Sequence, residues 1–153
     1  MLNKKEVPQG FHIHKNGGGL VQDTARVEES VYVSFNARVS GNAWVSGNAQ
    51  VSGNAQVSGN AWVSGNAWVS GNARVSGNAR VSGNAWALSP LYIQGTRHAL
   101  TNSRHGYISI GCHEHTFEYW QEHYKAIGRA EGYTVEEIEQ YGLFIQMFAK
   151  IGK

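Results

Sequence analysis

The apolar and polar positions between residues 39 and 86 repeat every six residues without interruption. The unit Val-Ser-Gly-Asn-Ala, followed by one variable residue, occurs eight times, and looser copies extend the pattern back to Val21. A fixed period of six residues is typical of a parallel β-helix. Valine favours a short strand, whereas Gly-Asn favours a turn in which a positive φ is tolerated. Each hexad is therefore predicted to form one side of a three-sided prism.

Alternation along each short strand decides which positions face the solvent. Because successive strand side chains point to opposite faces, the valine points inward, and the serine and the variable residue point outward. Three hexads make one turn, so the variable residues stack in columns, and the asparagines are expected to form amide ladders at the corners. The predicted columns are Arg26, Trp44, Trp62 and Arg80; Tyr32, Gln50, Trp68 and Trp86; and Arg38, Gln56 and Arg74.

The residues after the repeat predict two strands and two helices. The strands are expected at Leu91–Gln94 and Tyr107–Cys112, with Thr96–Gly106 between them as the basic tip of a β-hairpin. Apolar residues at helical spacing predict a helix over Thr116–Gly128. The motif Thr134-x-x-Glu137 is a capping box that should begin the second helix.

The repeat resembles the left-handed hexapeptide-repeat β-helix, in which an aliphatic and a small residue recur in each hexad. The best-known members of that family are trimeric acyltransferases, so the resemblance implies a left-handed solenoid and a homotrimer. We therefore expect a mainly β protein, a left-handed parallel β-helix with a small C-terminal hairpin and two-helix cap. The expected regions are an N-terminal cap segment at 1–20, the β-helix at 21–88 and a cap and trimerisation region at 89–153.

The tail also resembles the ending of a group of phage and gut-bacterial hexapeptide-repeat proteins. The resemblance is carried by the runs Ser89–Gly95, Gly106–Cys112 and His115–Trp120. That group brings no established catalytic residues with it, so this resemblance assigns no reaction.

Composition excludes several classes of protein. The formal net charge of +2 is too small to indicate nucleic acid binding. A single cysteine excludes an internal disulfide framework. No apolar run approaches the roughly 18 residues of a membrane span, and no hydrophobic signal core follows the charged N-terminus. We expect a cytoplasmic protein without a membrane partner, in the host cytoplasm if a phage encodes it.

Cys112, His113, Glu114 and His115 bring together side chains that could hold a metal or supply a nucleophile. Residues two apart on a strand face the same way, so the two histidines should lie together while Cys112 points away. A second ligand pair with zinc spacing is absent from the sequence. We therefore predict a small buried cysteine and surface or interface histidines, with no metal and no cofactor.

The variable positions suit an anionic aromatic ligand. Tryptophan rings stack on nucleobases, and arginine binds phosphate through paired hydrogen bonds. We predict a non-catalytic homotrimer that sequesters a nucleotide or cyclic nucleotide between subunits; with the phage resemblance, this becomes a sponge for a host immune signal. The predicted ligand-binding residues are Trp44, Trp62, Trp68, Trp86, Arg26, Arg38, Arg74 and Arg80, with Arg97, His98, Arg104 and His105 closing the site from the tail.

Three other interpretations stay open. The tryptophan and arginine columns could form the subunit interface, where these residues are enriched. The chain could be an acyl-CoA-dependent acyltransferase. Relatives use a histidine near the subunit boundary, but the hexads contain none, so a histidine from the ends of the chain would have to serve; this interpretation predicts loss of turnover in a His98 or His105 variant. The chain could also be a structural module without any small-molecule ligand.

Overall fold

The hexad repeat forms a β-solenoid of about four turns in this computed structural model, which describes residues 6–153. Each turn contributes one short strand to each of three sheets. The strands up to the end of the repeat are β1 (Phe11–Ile13), β2 (Leu20–Gln22), β3 (Arg26–Val27), β4 (Tyr32–Val33), β5 (Arg38–Val39), β6 (Trp44–Val45), β7 (Gln50–Val51), β8 (Gln56–Val57), β9 (Trp62–Val63), β10 (Trp68–Val69), β11 (Arg74–Val75), β12 (Arg80–Val81) and β13 (Ala85–Trp86).

Parallel pairing stacks the variable residues in columns. In the sheet of β3, β6, β9 and β12, Arg26 pairs with Trp44, Trp44 with Trp62, and Trp62 with Arg80. This column is confirmed, and so is the column of Arg38, Gln56 and Arg74. The second column holds from Tyr32 through Gln50 to Trp68.

Valine and alanine fill the interior of the solenoid, as their inward positions predict. The valines and alanines of the hexads from Val39 to Val81 are at most 1% exposed. Burying a side chain of the size of valine contributes about 1.5 kcal/mol or more. The repeated pair of inward residues is thus the main source of stability for each turn.

Each turn also needs its glycine. Gly59 has a φ of 64°, and a Cβ there would lie 2.9 Å from the backbone nitrogen of Gly77 in the next turn. The turns stack too closely at this corner for a side chain. Beside them the predicted amide ladders form, since the Nδ2 of Asn60 donates across 3.4 Å to the Oδ1 of Asn78.

The last turn is one residue shorter than the others, and this moves Trp86 into the core. Trp86 pairs with Val69, whereas an eighteen-residue turn would pair it with Trp68. Asn84 adopts a positive φ of 65°, and the Trp86 indole nitrogen donates a 2.8 Å hydrogen bond to the carbonyl of Gly83. Trp86 is only 3% exposed. The prediction that it lies on an outer face above Trp68 is therefore wrong.

The segment before the repeat packs against the first turn. Strand β1 pairs antiparallel with β2 and so extends one sheet of the solenoid. His14 is buried, and its Nε2 lies 2.8 Å from the carbonyl oxygen of Val31. Gly17 lies so close to the backbone of Val33 that a Cβ would overlap it. Residues 1–5 of the predicted cap lie outside the described part, and the region boundaries stay predictions.

An antiparallel sheet follows the solenoid. Its strands are, in spatial order, β14 (Tyr92–Gln94), β15 (Ala99–Arg104), β16 (Tyr107–Ile110) and β17 (His113–Thr116). The two predicted strands match β14 and β16, but the segment predicted as a basic tip contains β15 instead. Thr101, Asn102 and Ser103 in β15 are at most 1% exposed. The Asn102 amide meets its hydrogen-bonding needs internally, because its Nδ2 donates to the carbonyls of Arg104, Tyr107 and Lys153.

Two helices cover one face of this sheet, α1 (Phe117–Ala130) and α2 (Val135–Ile151). The predicted capping box of Thr134 and Glu137 is confirmed at the start of α2. The shared core contains Leu100, Ile108, Trp120, Ile145 and Phe148. Across residues 6–153, neither helix is both long and apolar enough to cross a membrane.

The antiparallel sheet is joined to the solenoid beside β12. The Ser82 backbone nitrogen donates to the carbonyl of Ser103 at 3.0 Å, and that of Arg80 donates to the Thr101 hydroxyl at 3.1 Å. Strand β15 therefore lies next to β12, at the end of the column that carries Trp44 and Trp62.

Candidate functional site at the Arg80 junction

Trp44 and Trp62 form a parallel stack on one outer face of the solenoid. Their ring centroids are 5.0 Å apart, and their planes differ by 4°. The two residues remain 40% and 37% exposed. Since β6 and β9 are neighbours in register, the stack follows directly from the repeat. The result is a pair of stacked indole rings that are partly exposed on this face.

The guanidinium of Arg80 continues this column beyond Trp62. Its Cζ lies 5.3 Å from the Trp62 ring centroid. Among residues 6–153, the Arg80 side chain forms no ion pair and no hydrogen bond, whereas its backbone nitrogen is held by Thr101. An unpaired guanidinium beside an exposed aromatic ring suits a ligand that is both anionic and aromatic.

A polar hollow of about 180 Å³ lies between Trp62, Arg80 and the antiparallel sheet. Ser103 is one of the residues around this hollow, and its Oγ is fully buried and has no hydrogen-bond partner within the described residues. A buried polar atom without a partner costs about 1–3 kcal/mol. The other polar residues around the hollow are Ser64, Ser82, Ser109 and Glu114.

Arg97 is engaged within the protein. Its Nε donates to both carboxylate oxygens of Glu137, at 3.0 and 2.9 Å, and its Nη2 donates to the carbonyl of Gly132. The hydrogen bond to Glu137 raises the pKa of Arg97, and the same bond lowers the pKa of Glu137. The predicted contact of Arg97 with a ligand would require this pair to break.

Arg104 has a similar internal partner. Its Nε donates to the carboxylate of Glu114 at 2.6 Å, and its Cζ lies 4.0 Å from the ring centroid of Tyr107. This pair offsets the negative charge that Glu114 would otherwise bring to the polar hollow. Arg104 therefore shapes the electrostatics of the hollow without presenting an unpaired guanidinium to it.

The two histidines predicted to bind a ligand, His98 and His105, lie in different places. The His105 ring lies edge-on to Trp86, with centroids 5.1 Å apart, and its backbone nitrogen donates to the Oδ1 of Asn84. His105 thus covers the shortened last turn. The exposed His98 lies with Arg80 in a smaller hollow of about 150 Å³, and its backbone nitrogen donates to the hydroxyl of Tyr141.

The remaining predicted residues are spread over the three faces of the chain. Arg26 pairs with Trp44 at the far end of the aromatic column. Trp68 lies on the second face, where its indole nitrogen donates to the Ser52 hydroxyl. Arg38 and Arg74 share the third face. One chain therefore brings together Arg26, Trp44, Trp62 and Arg80, and separates these from the others.

The Cys112–His115 cluster is only partly as expected. The rings of His113 and His115 stack with centroids 6.0 Å apart, so the prediction that they share a side is confirmed. Cys112 is exposed, and the prediction of a buried cysteine is wrong. It follows Gly111, whose φ of 58° turns the chain between β16 and β17. Within residues 6–153, no three His, Cys, Asp or Glu side chains gather as a metal site would require.

Ser103 and Thr101 were not predicted from the sequence as site residues. They lie in a segment whose polar letters suggest a loop, and no repeat marks them. The alternation of apolar Leu100 with polar neighbours offers a weak strand signal. Their position beside Arg80 depends on how β15 docks on the last turn, which no local pattern encodes.

Comparison with known protein families supports the solenoid. A family described as YdcK beta solenoid repeat matches residues 37–53, 49–63, 55–71 and 73–88. The matched segments cover nearly all of the regular hexads and end before the antiparallel sheet. Searches of curated proteins and of solved structures found no match. The chain therefore carries a β-solenoid repeat of known type, which is consistent with hexapeptide-repeat proteins.

Proposed function

We propose that this protein is a non-catalytic binding protein that sequesters a nucleotide on the column of Trp44, Trp62 and Arg80. One observation carries the proposal: an exposed, parallel tryptophan stack ends on a guanidinium that has no partner among residues 6–153. The base would lie on the indole surface, and the phosphate would bind Arg80. The polar hollow next to Arg80 would take a sugar or phosphate oxygen.

The energies involved are sufficient for such a ligand. Stacking of one base on an aromatic side chain is worth about 1–3 kcal/mol. The contact between the arginine and a phosphate adds charge-assisted hydrogen bonds, which are about twice as strong as hydrogen bonds between neutral groups. Ser64, Ser82 and Ser109 around the hollow supply further polar groups. Since the column is preformed by the repeat, little side-chain entropy is lost on binding.

The finer version of the proposal is a homotrimer that holds the nucleotide between subunits. Trp68 on the second face and Arg74 on the third face would then reach the ligand from a neighbouring chain. The phage version, a sponge for a host cyclic nucleotide signal, rests on the resemblance of the tail alone. Light scattering on the purified protein measures the oligomeric state directly.

The test is an incubation with a panel of cyclic and adenosine-derived nucleotides and acyl-CoAs. The protein is removed by filtration and denatured, and both fractions are analysed by mass spectrometry. A sequestering protein depletes one nucleotide from the filtrate and returns it unchanged. If a compound is returned chemically altered, the protein turns it over, as the acyltransferase interpretation predicts. If no compound is depleted, the tryptophan and arginine columns are most simply explained as subunit contacts.

Matched variants locate the site once a ligand is found. Trp62→Ala and Arg80→Gln should each weaken binding about fivefold or more, because each removes at least about 1 kcal/mol. Leu143→Ala, at a 66% exposed position on α2, is the control. Loss of affinity in Trp68→Ala as well would support the site between subunits. Unchanged affinity in both Trp62→Ala and Arg80→Gln would refute the proposed site.

A further inference from the structure

A second cavity lies between the antiparallel sheet and the two helices. Its volume is about 340 Å³, which falls at the lower end of the range of small-molecule sites. Its most buried lining residues are Ile110, Trp120, Ile138, Tyr141 and Ile145. The apolar side chains around an empty cavity lack van der Waals contacts on one side, and an apolar ligand in the cavity would supply those contacts.

Polar groups gather where the cavity meets the solvent. Arg80, His98 and His113 line this rim. The acidic side chain among the lining residues, Glu131, accepts a 3.0 Å hydrogen bond from the Nε2 of His113. Burial raises the pKa of Tyr133 to about 12, so the phenol at this rim stays neutral. The rim therefore offers donors and one unpaired positive charge.

We infer that this cavity binds a compact aromatic carboxylate, with its ring among the isoleucines and its carboxylate at the rim beside Arg80. The apolar floor selects the ring, and the unpaired guanidinium selects the anion. The cavity shares Arg80 with the proposed nucleotide site, so the two ligands would compete for that guanidinium. The isoleucine floor of the cavity is separate from Trp44 and Trp62 and can be tested on its own. Nothing in it requires turnover of the ligand.

Isoleucine methyl NMR on the wild-type protein tests the inference with naphthalene-2-carboxylate as the probe. The methyl signals of Ile110, Ile127, Ile138 and Ile145, which line the cavity, should shift in a saturable way. Signals of the exposed Ile13 and Ile151 should not move. Naphthalene-2-carboxamide, which has the same ring without the charge, should bind at least about fivefold more weakly. Saturable shifts confined to the exposed methyls, or no shifts, would overturn the inference.

Two variants test the proposed ligand position independently of the wild-type titration. Ile127→Trp should fill the cavity and abolish the shifts, whereas Leu143→Trp adds the same side chain at an exposed position and should leave them unchanged. Arg80→Gln should reduce the affinity for the carboxylate to that for the carboxamide. If Ile127→Trp binds the probe as the wild type does, or if Arg80→Gln keeps the preference for the carboxylate, the inference is wrong. Melting curves of each variant verify that it is folded.

Discussion

Replacing Trp86 with alanine should destabilise the protein far more than replacing Trp68. Trp86 is 3% exposed and fills the inward position of the last turn, whereas Trp68 is 47% exposed on an outer face. Truncating a buried tryptophan to alanine costs about 3–5 kcal/mol. Trp68→Ala removes only about half of the burial of a large side chain, so about 1 kcal/mol is expected. The difference should be about 2–4 kcal/mol.

The assay is urea unfolding followed by far-UV circular dichroism, since fluorescence would change with the tryptophans themselves. In a solenoid each turn is stabilised only by its neighbours, and Trp86 closes the end to which the antiparallel sheet is attached. The Trp86→Ala midpoint should therefore fall well below that of Trp68→Ala. Trp86→Phe, which keeps most of the volume, covers the case in which the alanine variant does not fold. Equal midpoints for the two alanine variants would refute the placement of Trp86 in the core.

Two further predictions concern the tail. Tyr141→Phe should lower the free energy of unfolding by about 1–3 kcal/mol, because the Tyr141 hydroxyl accepts hydrogen bonds from the backbone nitrogens of Arg97 and His98. Urea unfolding measures this change in stability, and an unchanged midpoint would show that the hydroxyl is dispensable. Burial is the largest cause that lowers the pKa of His115 below 6.5, and the charge of His113 is the next. The stability that the neutral His115 ring contributes is therefore present above pH 6.5 and is lost as the pH falls through the lowered pKa. Between neutral pH and about pH 5, the melting temperature of the wild type should therefore fall further than that of His115→Gln. Equal decreases in the two melting temperatures would contradict this interpretation.

The columns could be predicted as far as Trp68 because every turn up to that point has the same length. Trp86 could not be placed in this way. The hexads Val57–Trp62 and Val81–Trp86 have identical letters, yet Trp62 points outward and Trp86 inward. The difference comes from the next residue along the chain, since Ala87 stands where a further hexad would begin with valine. Trp86 takes the inward aliphatic place, and the turn shortens to reach it.

The tail was predictable where a local motif decides the structure. The capping box of Thr134 and Glu137 marks the start of α2, since both hydrogen bonds form within one turn of chain. Strand β15 was missed because its middle is polar, and Asn102 is buried only through bonds to residues as distant as Lys153. Hydrogen bonds between such distant residues depend on the tertiary fold, which cannot be read from a short stretch of sequence.

A solenoid of identical repeats offers nearly identical surfaces, so a specific site requires a place where the repeat is broken. Arg74 and Arg80 illustrate this point, because both follow Ser-Gly-Asn-Ala and precede Val-Ser. Arg80 lies beside β15, where Thr101 holds its backbone nitrogen and Ser103 lines the polar hollow. The backbone nitrogen of Arg74 instead binds the Ser89 hydroxyl on another face. If recognition depended on the repeat alone, Arg74→Gln and Arg80→Gln would weaken binding equally. A larger loss in Arg80→Gln would show that the junction with the tail creates the site.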